Sequence, residues 1–384
     1  MLPVTIWMNM PSFHQDGLFN ALGRSGEVEL QVVFARETTQ DRRRLGWTAP
    51  VRDYSYRILP AHLGLLDAIR IAWTERGRLH IVNGIWAEPS FAVALAVLAL
   101  AGSKFAVYAE APDYRQAHTG MPSLLRRSFA EWVAKRALGF LAVAQFAEQY
   151  YVQLGFGRDH VYPFGYFQTE RDATMGSAKC AAHELIEVVF VGQLIQRKGV
   201  DLLLEAIGPL FAEQPKLALS VIGDGGEARA LQDRTRSLGI EDRVNFEGTV
   251  SSETIQARLA SADVLVLPSR WDGWGMVVNE ALSAGVPVIV SHRCGAADLI
   301  QHGVNGYVFR SEDVKNLRKC LRSFLKNADA RSTMRSAAAN TGRAISAEAA
   351  APYLVECLKH MTGASAARPA PPWSRVATPQ SISR

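Results

Sequence analysis

The chain has 384 residues, 48% hydrophobic and 21% charged, an ordinary globular composition with enough apolar residues for two cores. A net charge of +5 and a pI near 9.0 fit an anionic partner such as a nucleotide, a phosphate group or a membrane surface. There is no zinc-ligand spacing, no aromatic RNA-binding signature and no long basic run, which argues against nucleic acid.

The opening "VTIWM" and "VELQVVFA" read as strands separated by a Gly-containing loop and a short helix, Asp16 to Leu22. Nothing before "LPVTIW" has the basic region of a targeting signal, and Cys180, Cys294, Cys320 and Cys357 form no C-x-x-C pair. Both features are those of reduced thiols in a cytosolic protein. "LHIVNG", "FAVYAE", "LGFLAVA" and "HVYPFGY" follow as short apolar strands, in the β-α-β rhythm of a parallel sheet. The apolar run Ser90 to Ala109 breaks at Gly102-Ser103, and its helical part is too short to span a bilayer, so a buried core helix is expected. In the helix expected over Ser123–Phe140, Leu125, Phe129, Trp132, Val133 and Phe140 share one side and Arg127, Glu131 and Lys135 the other. That pattern suits an interfacial helix on an anionic membrane, or equally a helix packed on the first sheet with a wet basic face.

From Gln168 to Glu184 the chain turns polar and irregular, the composition of a linker. "IEVVFVGQL", "LALSVIGDG", "RVNFEGTV", "ADVLVLPS", "VPVIVS" and "GYVFR" are then strands at near-regular spacing, with helices such as "GVDLLLEAIGPLFAEQ" between them, which predicts a doubly wound α/β domain. The expected organisation is a Rossmann-like domain at 1–168, a linker at 169–184 and a second Rossmann-like domain at 185–345. A C-terminal helix at 346–362 and a disordered tail at 363–384 complete it.

Ligands of open α/β sheets bind beyond the carboxyl ends of the strands, and the chemistry-bearing residues lie there. Arg197 and Lys198 follow Gly192 and Gln193 and precede a helix, an arrangement suited to a diphosphate or to a solvated loop. Gly223, Gly225 and Gly226 allow a sharp turn but do not form a dinucleotide fingerprint. In "PSRWDGWGMVVNEALSAGVPVIV", Asp272 sits in a loop and Glu280 in an almost wholly apolar helix. A buried carboxylate needs partners: backbone groups or an Arg in one reading, two hydroxyls of a sugar ring in the other. The amides of Gly275, Met276 and Val277 open that helix and are placed for phosphate or sugar oxygens.

At these residues the chain resembles the retaining glycosyltransferases of the GT-B fold, family 4 type. The resemblance rests on Pro268-Ser269, Asp272, Trp274-Gly275, Glu280-Ala281, Gly285 and Pro287-Val288, with Gly192 to Gly199, Gly223 to Gly225 and Val244 to Gly248 in order before them. It implies an α/β fold of two Rossmann-like doubly wound domains facing a central cleft. It implies Glu280 on the ribose, Lys198 on the diphosphate, the backbone around Gly248 at the base, Asp272 on the donor sugar, retention of configuration, and neither metal nor cofactor beyond the nucleotide-diphosphate sugar. Two departures stand out: Asp272 is one methylene shorter than the family's usual Glu, and Gln193 replaces a common Arg, with Arg197 a candidate to compensate. The first domain matches only in outline. There Glu110 is the acceptor-side catalytic candidate, with His118 a weaker alternative, and His14, Gln15 and Gly17 are candidate acceptor contacts.

The expected function is transfer of a hexose to a glycan or lipid-linked acceptor in polysaccharide or lipopolysaccharide assembly. The expected location is cytoplasmic and peripheral on the inner face of the plasma membrane. A soluble transferase acting on a small molecule and an inactive scaffold that binds a nucleotide-sugar or a partner enzyme are the alternatives.

Overall fold

The computed structural model describes residues 1–39, 52–86, 88–112, 123–169, 185–326 and 328–375. His118, Cys180 and the linker from 170 to 184 lie outside the described residues. Contacts divide the chain into two units: 1–169 with 347–371, and 170–346 with 372–384.

The first unit is built on a seven-stranded parallel sheet. Its strands are β1 (Leu2–Met8), β2 (Val28–Phe34), β3 (Ser55–Ile58), β4 (Leu79–Asn83), β5 (Phe105–Glu110), β6 (Gly139–Val143) and β7 (Val161–Phe164), in the spatial order β3-β2-β1-β4-β5-β6-β7. A central strand such as β6 is a continuous apolar run because a parallel sheet is covered on both faces. The reversal of order at β1 brings the loops after β1 and β4 together at the carboxyl edge, where ligands of such sheets bind. The helix Ala347–Met361 returns to this unit: Tyr353 donates to the carbonyl of Pro163 at 2.9 Å, and His360 Nδ1 lies 2.6 Å from the Tyr162 hydroxyl. The tail expected to be disordered from 363 is placed as far as 375. Arg368 donates to the carbonyl of Val161 at 2.6 Å, and Trp373 is buried in the second unit. A cation and an indole with partners hold what composition alone assigns to disorder.

One buried pair sets a pH dependence. Trp7 Nε1 donates to His80 Nδ1 at 3.1 Å, and His80 Nε2 faces the carbonyl of Glu75 at 3.0 Å, so the imidazole is neutral with its proton on Nε2. Burial pushes the His80 pKa down from 6.5 to about 4. A depressed histidine pKa means that only the unfolded chain takes up this proton between pH 6.5 and 4. Stability is therefore complete above 6.5 and falls by about 3 kcal/mol as the pH drops to 4. Thermal unfolding from pH 7.5 to 4.5 is expected to show this slope in the wild type and to lose it in His80→Asn, which starts from a lower stability because Trp7 loses its acceptor. Parallel slopes would refute the assignment.

Helices Gly64–Thr74, Pro89–Leu100 and Ser123–Ala134 form a layer on the first sheet. Pro89–Leu100, expected to be fully buried, turns Phe91, Ala94, Leu95 and Leu98 inward and leaves its other side half-buried. The helix expected over Ser123–Phe140 ends at Ala134, and β6 begins at Gly139. Its apolar stripe is not a membrane face. Ala130 and Val133 are buried, and Phe129 packs 4.9 Å from Trp86, ring centre to ring centre. Of its large apolar residues only Leu124 and Leu125, at its start, are exposed. An amphipathic stripe has one apolar side, and the sheet takes it.

The second unit is a six-stranded parallel sheet of β8 (Ile186–Val191), β9 (Leu217–Ile222), β10 (Val244–Gly248), β11 (Val264–Leu267), β12 (Val288–Ser291) and β13 (Gly306–Phe309), in the order β10-β9-β8-β11-β12-β13. The reversal falls between β8 and β11, so the loops after these two strands lie side by side. They are the loops that carry Gly192 to Lys198 and Pro268 to Met276.

Candidate functional site

After β8 the chain forms a short 3-10 turn, Gln196–Lys198, and enters the helix Val200–Ile207. After β11 the loop passes through Trp271 and Asp272 and enters the helix Val277–Ser283. Arg270 ties the two loops. Its amide donates to the carbonyl of Arg197 at 2.8 Å, and its guanidinium takes both carboxylate oxygens of Asp201 at 2.8 and 2.6 Å. The turn bearing Lys198 is thereby fixed against the loop bearing Asp272.

The two charges meet. Lys198 Nζ lies 2.5 Å from Asp272 Oδ2, and Arg197 Nη1 lies 3.7 Å from Asp272 Oδ1 while donating to the carbonyl of Trp271 at 2.9 Å. Asp272 is 8% exposed and held at its backbone, donating to Arg293 at 3.0 Å and accepting from Gly295 at 3.1 Å. One acid thus holds two cations in place. Two of the three ammonium protons of Lys198 have no partner among the described residues.

The glycines set how closely these loops approach. A Cβ on Gly223 would lie 1.9 Å from the carbonyl oxygen of Gly192, so the loops after β8 and β9 cross in contact. Gly275 has a φ of +92, and a Cβ there would lie 2.5 Å from Cys294 Sγ and 3.8 Å from Asp272 Cγ. This puts the start of the helix Val277–Ser283 directly beside the acid. The amides of Gly275, Met276 and Val277 meet no acceptor among the described residues. Glu280 is half-buried in the first turn, whereas Asn279 is buried and accepts the Trp274 indole N–H at 2.7 Å. The expected single stripe of Asn279, Glu280 and Ser283 is therefore not formed: Asn279 is used by the core and Ser283 is exposed. Gln193 is exposed in the loop after β8. The carbonyl of Gly248 accepts from Gly223 at 2.8 Å, and the space beyond the Gly248 Cα is open. No three His, Cys, Asp or Glu side chains among the described residues are grouped to hold a metal ion.

In the first unit, Glu110 closes β5 and its carboxylate accepts the Tyr166 hydroxyl at 2.6 Å. Burial first, then the Glu110 charge, raises the Tyr166 pKa well above its ordinary value, so Tyr166 stays protonated and donating. His14 and Gln15 begin the helix Phe13–Arg24, and His14 Nδ1 is 3.3 Å from Gln168 Nε2. They line a cavity of about 20 Å³ with Tyr108 and Tyr166, room for about one water molecule. Gly17 is packed away from it: a Cβ there would lie 2.9 Å from the backbone nitrogen of Thr169. Tyr108 and Tyr166, which the sequence reading passed over, lie within β5 and just after β7, with no local motif to mark them.

Comparison with known proteins places the fold first. The chain superposes on Anabaena Alr3699/HepE, solved in complex with UDP, with a TM-score of 0.70 at 17% identity, covering 94% of this chain and all of that one. The chain has the GT-B fold. Residues 179–341 match the model of the family Glycosyl transferases group 1. Relatives of that segment include a GDP-mannose-dependent alpha-(1-6)-phosphatidylinositol monomannoside mannosyltransferase of Mycobacterium tuberculosis, 32% identical over 149 residues, 37% of this chain and 39% of that protein. Another is a D-inositol 3-phosphate glycosyltransferase of Streptomyces coelicolor, 30% identical over 192 residues, 46% of this chain and 42% of that protein. The match thus spans well under half the length of these curated relatives.

Proposed function

We propose that this chain is a retaining glycosyltransferase that moves a hexose from a nucleotide-diphosphate sugar to a glycan or lipid-linked acceptor in polysaccharide or lipopolysaccharide assembly. The observation that carries the reading is the Lys198–Asp272–Arg197 cluster beside the unaccepted amides of Gly275, Met276 and Val277, within the segment that matches group 1 glycosyl transferases. Departure of the diphosphate builds negative charge on its oxygens. Preorganised cations and amides at that point lower the barrier without reorganisation, and they supply the positive charge from the protein itself. Glu280 accepts the ribose hydroxyls. Asp272, whose oxygens face Lys198 and Arg197, orients these cations beside the donor sugar it holds. Glu110, held by Tyr166, faces the acceptor together with His14 and Gln15. No helix among the described residues is long and apolar enough to cross a membrane, and the proposed place of work is the inner face of the plasma membrane as a peripheral protein.

A thermal-shift series with UDP-, GDP- and ADP-sugars tests the donor class. One sugar nucleotide is expected to raise the Tm, and NMR of the product is expected to show the donor's anomeric configuration. No shift with any donor and no turnover would overturn the proposal. Glu280→Gln is expected to weaken that donor about 10- to 100-fold, the worth of a hydrogen bond to a charged group, while leaving the unliganded Tm within a few degrees. An equal donor affinity in the variant would remove Glu280 from the site. Transfer to a small soluble acceptor is the second reading, favoured by the inositol phosphate relative, and acceptor profiling separates the two.

A further inference from the structure

The helix Gly64–Thr74 turns its small residues inward and its large ones outward. Ala68 and Ala72 are buried with Ile71, while Leu65, Leu66, Ile69 and Trp73 stand in solvent, Leu66 at 63% and Trp73 at 55% exposure. A surface helix ordinarily does the reverse, because burying one such large side chain is worth about 1.5–3 kcal/mol. Positions 65, 66, 69 and 73 form one stripe along the helix, and the exposed Leu63 extends it.

The neighbouring helix continues the surface. Gly64–Thr74 packs along Pro89–Leu100, whose outward Ala92, Val93, Ala96 and Val97 are apolar and half-buried and whose Leu100 is exposed. The border is cationic. Arg76 lies over the Trp73 ring at 5.1 Å, and Lys104 follows the second helix. On the third helix and the turn after it, Arg126, Arg127, Lys135 and Arg136 outnumber Glu131. The acids of the first helix and the turn after it are paired: Asp67 with Arg70 at 3.0 Å and Glu75 with Arg57 at 2.9 Å.

We infer that this face docks on an anionic lipid leaflet, with the stripe Leu63–Trp73 entering the headgroup boundary. The charge decides the occupant. A second copy would meet this face through a two-fold axis and set the cationic border against itself, whereas an anionic leaflet neutralises it. Exposed leucines beside a tryptophan carrying a guanidinium are the side chains an interfacial helix uses. The stripe lies on a different helix from the basic Ser123–Ala134, whose own apolar side is taken by the sheet. The inference is independent of the donor site: it concerns where the protein sits and not what it transfers.

Flotation of the full chain tests it, with vesicles of equimolar phosphatidylglycerol and phosphatidylcholine against phosphatidylcholine alone, at low and high salt. The wild type is expected to float with the anionic vesicles, and less so on neutral lipid or in high salt. The double variant Leu66→Ser, Trp73→Ser is expected to lose binding by roughly tenfold or more, with its circular dichroism retained and its Tm within a few degrees because both side chains are more than half exposed. Failure of the wild type to float on either vesicle, or equal flotation of the variant, overturns the inference. A wild-type dimer in light scattering that the double variant converts to monomer assigns the face to a second copy and also overturns it. Loss of the donor-induced thermal shift in the wild type would leave these outcomes untouched.

Discussion

Lys198→Ala is expected to lower kcat by about 10²-fold or more with a smaller change in donor KM, because the ammonium acts on charge that develops as the diphosphate leaves. The geometry makes the loss larger than that of one cation. Lys198 is the 2.5 Å partner of Asp272, an acid only 8% exposed, and deleting it leaves that carboxylate beside the departing phosphates with only Arg197 at 3.7 Å to offset it. An uncompensated buried charge typically costs about 3–5 kcal/mol. Lys198→Arg restores the charge but not the compact fit at 2.5 Å and is expected to recover only part of the rate. Asp272→Asn should fall between wild type and Lys198→Ala, since it releases the cations without removing them. Steady-state kinetics with the donor found by thermal shift decides. Wild-type kcat in Lys198→Ala at saturating donor would overturn the assignment.

Gly223→Ala is expected to cost at least about 4 kcal/mol and to abolish donor-induced stabilisation. Two physical terms act together. The φ of Gly223 is +134, a region that L side chains rarely adopt, and strain there is of order 1–3 kcal/mol. In addition the new methyl would stand 1.9 Å from the Gly192 carbonyl oxygen, so the crossing loops must part. Denaturant unfolding of the second unit reads the first effect, and a thermal shift with donor reads the second. Gly226→Ala is the control: it lies three residues past Gly223, and nothing stands within 4 Å of an added Cβ there. If both variants match the wild type, the close approach of these loops is not required.

Most strands were legible in the chain because a parallel sheet buried on both faces writes each strand as a short apolar run ended by Gly or an acid, as in "VVFVG" and "LVLPS". The exception is β3, Ser55–Ile58, a four-residue edge strand with exposed side chains and no such run. The helix expected through "GVDLLLEAIGPLFAEQ" is interrupted at Gly208-Pro209, where proline has no amide to donate, and resumes as Leu210–Glu213. In the site, the cations, glycines and acids were legible as residue types at strand ends. Their pairing was not: Lys198 and Asp272 are 74 residues apart, and Glu110 and Tyr166 are 56 apart. Asn279 shows the limit from the other side. Its place beside Glu280 suggested a ligand contact, but a one-residue step turns a helix by about 100°, enough to send it to the Trp274 indole.

The sequence by itself determined the two doubly wound sheets and the loops that carry the donor chemistry, because strand burial, glycine turns and helix starts are local properties of short segments. Only the tertiary structure decided which side of each amphipathic helix is covered, and that Asp272 holds two cations. It also decided that the C-terminal helix and the segment after it, through Arg368 and Trp373, are held by partners. These outcomes depend on atoms brought together from distant positions in the chain, and no local pattern encodes which neighbour arrives.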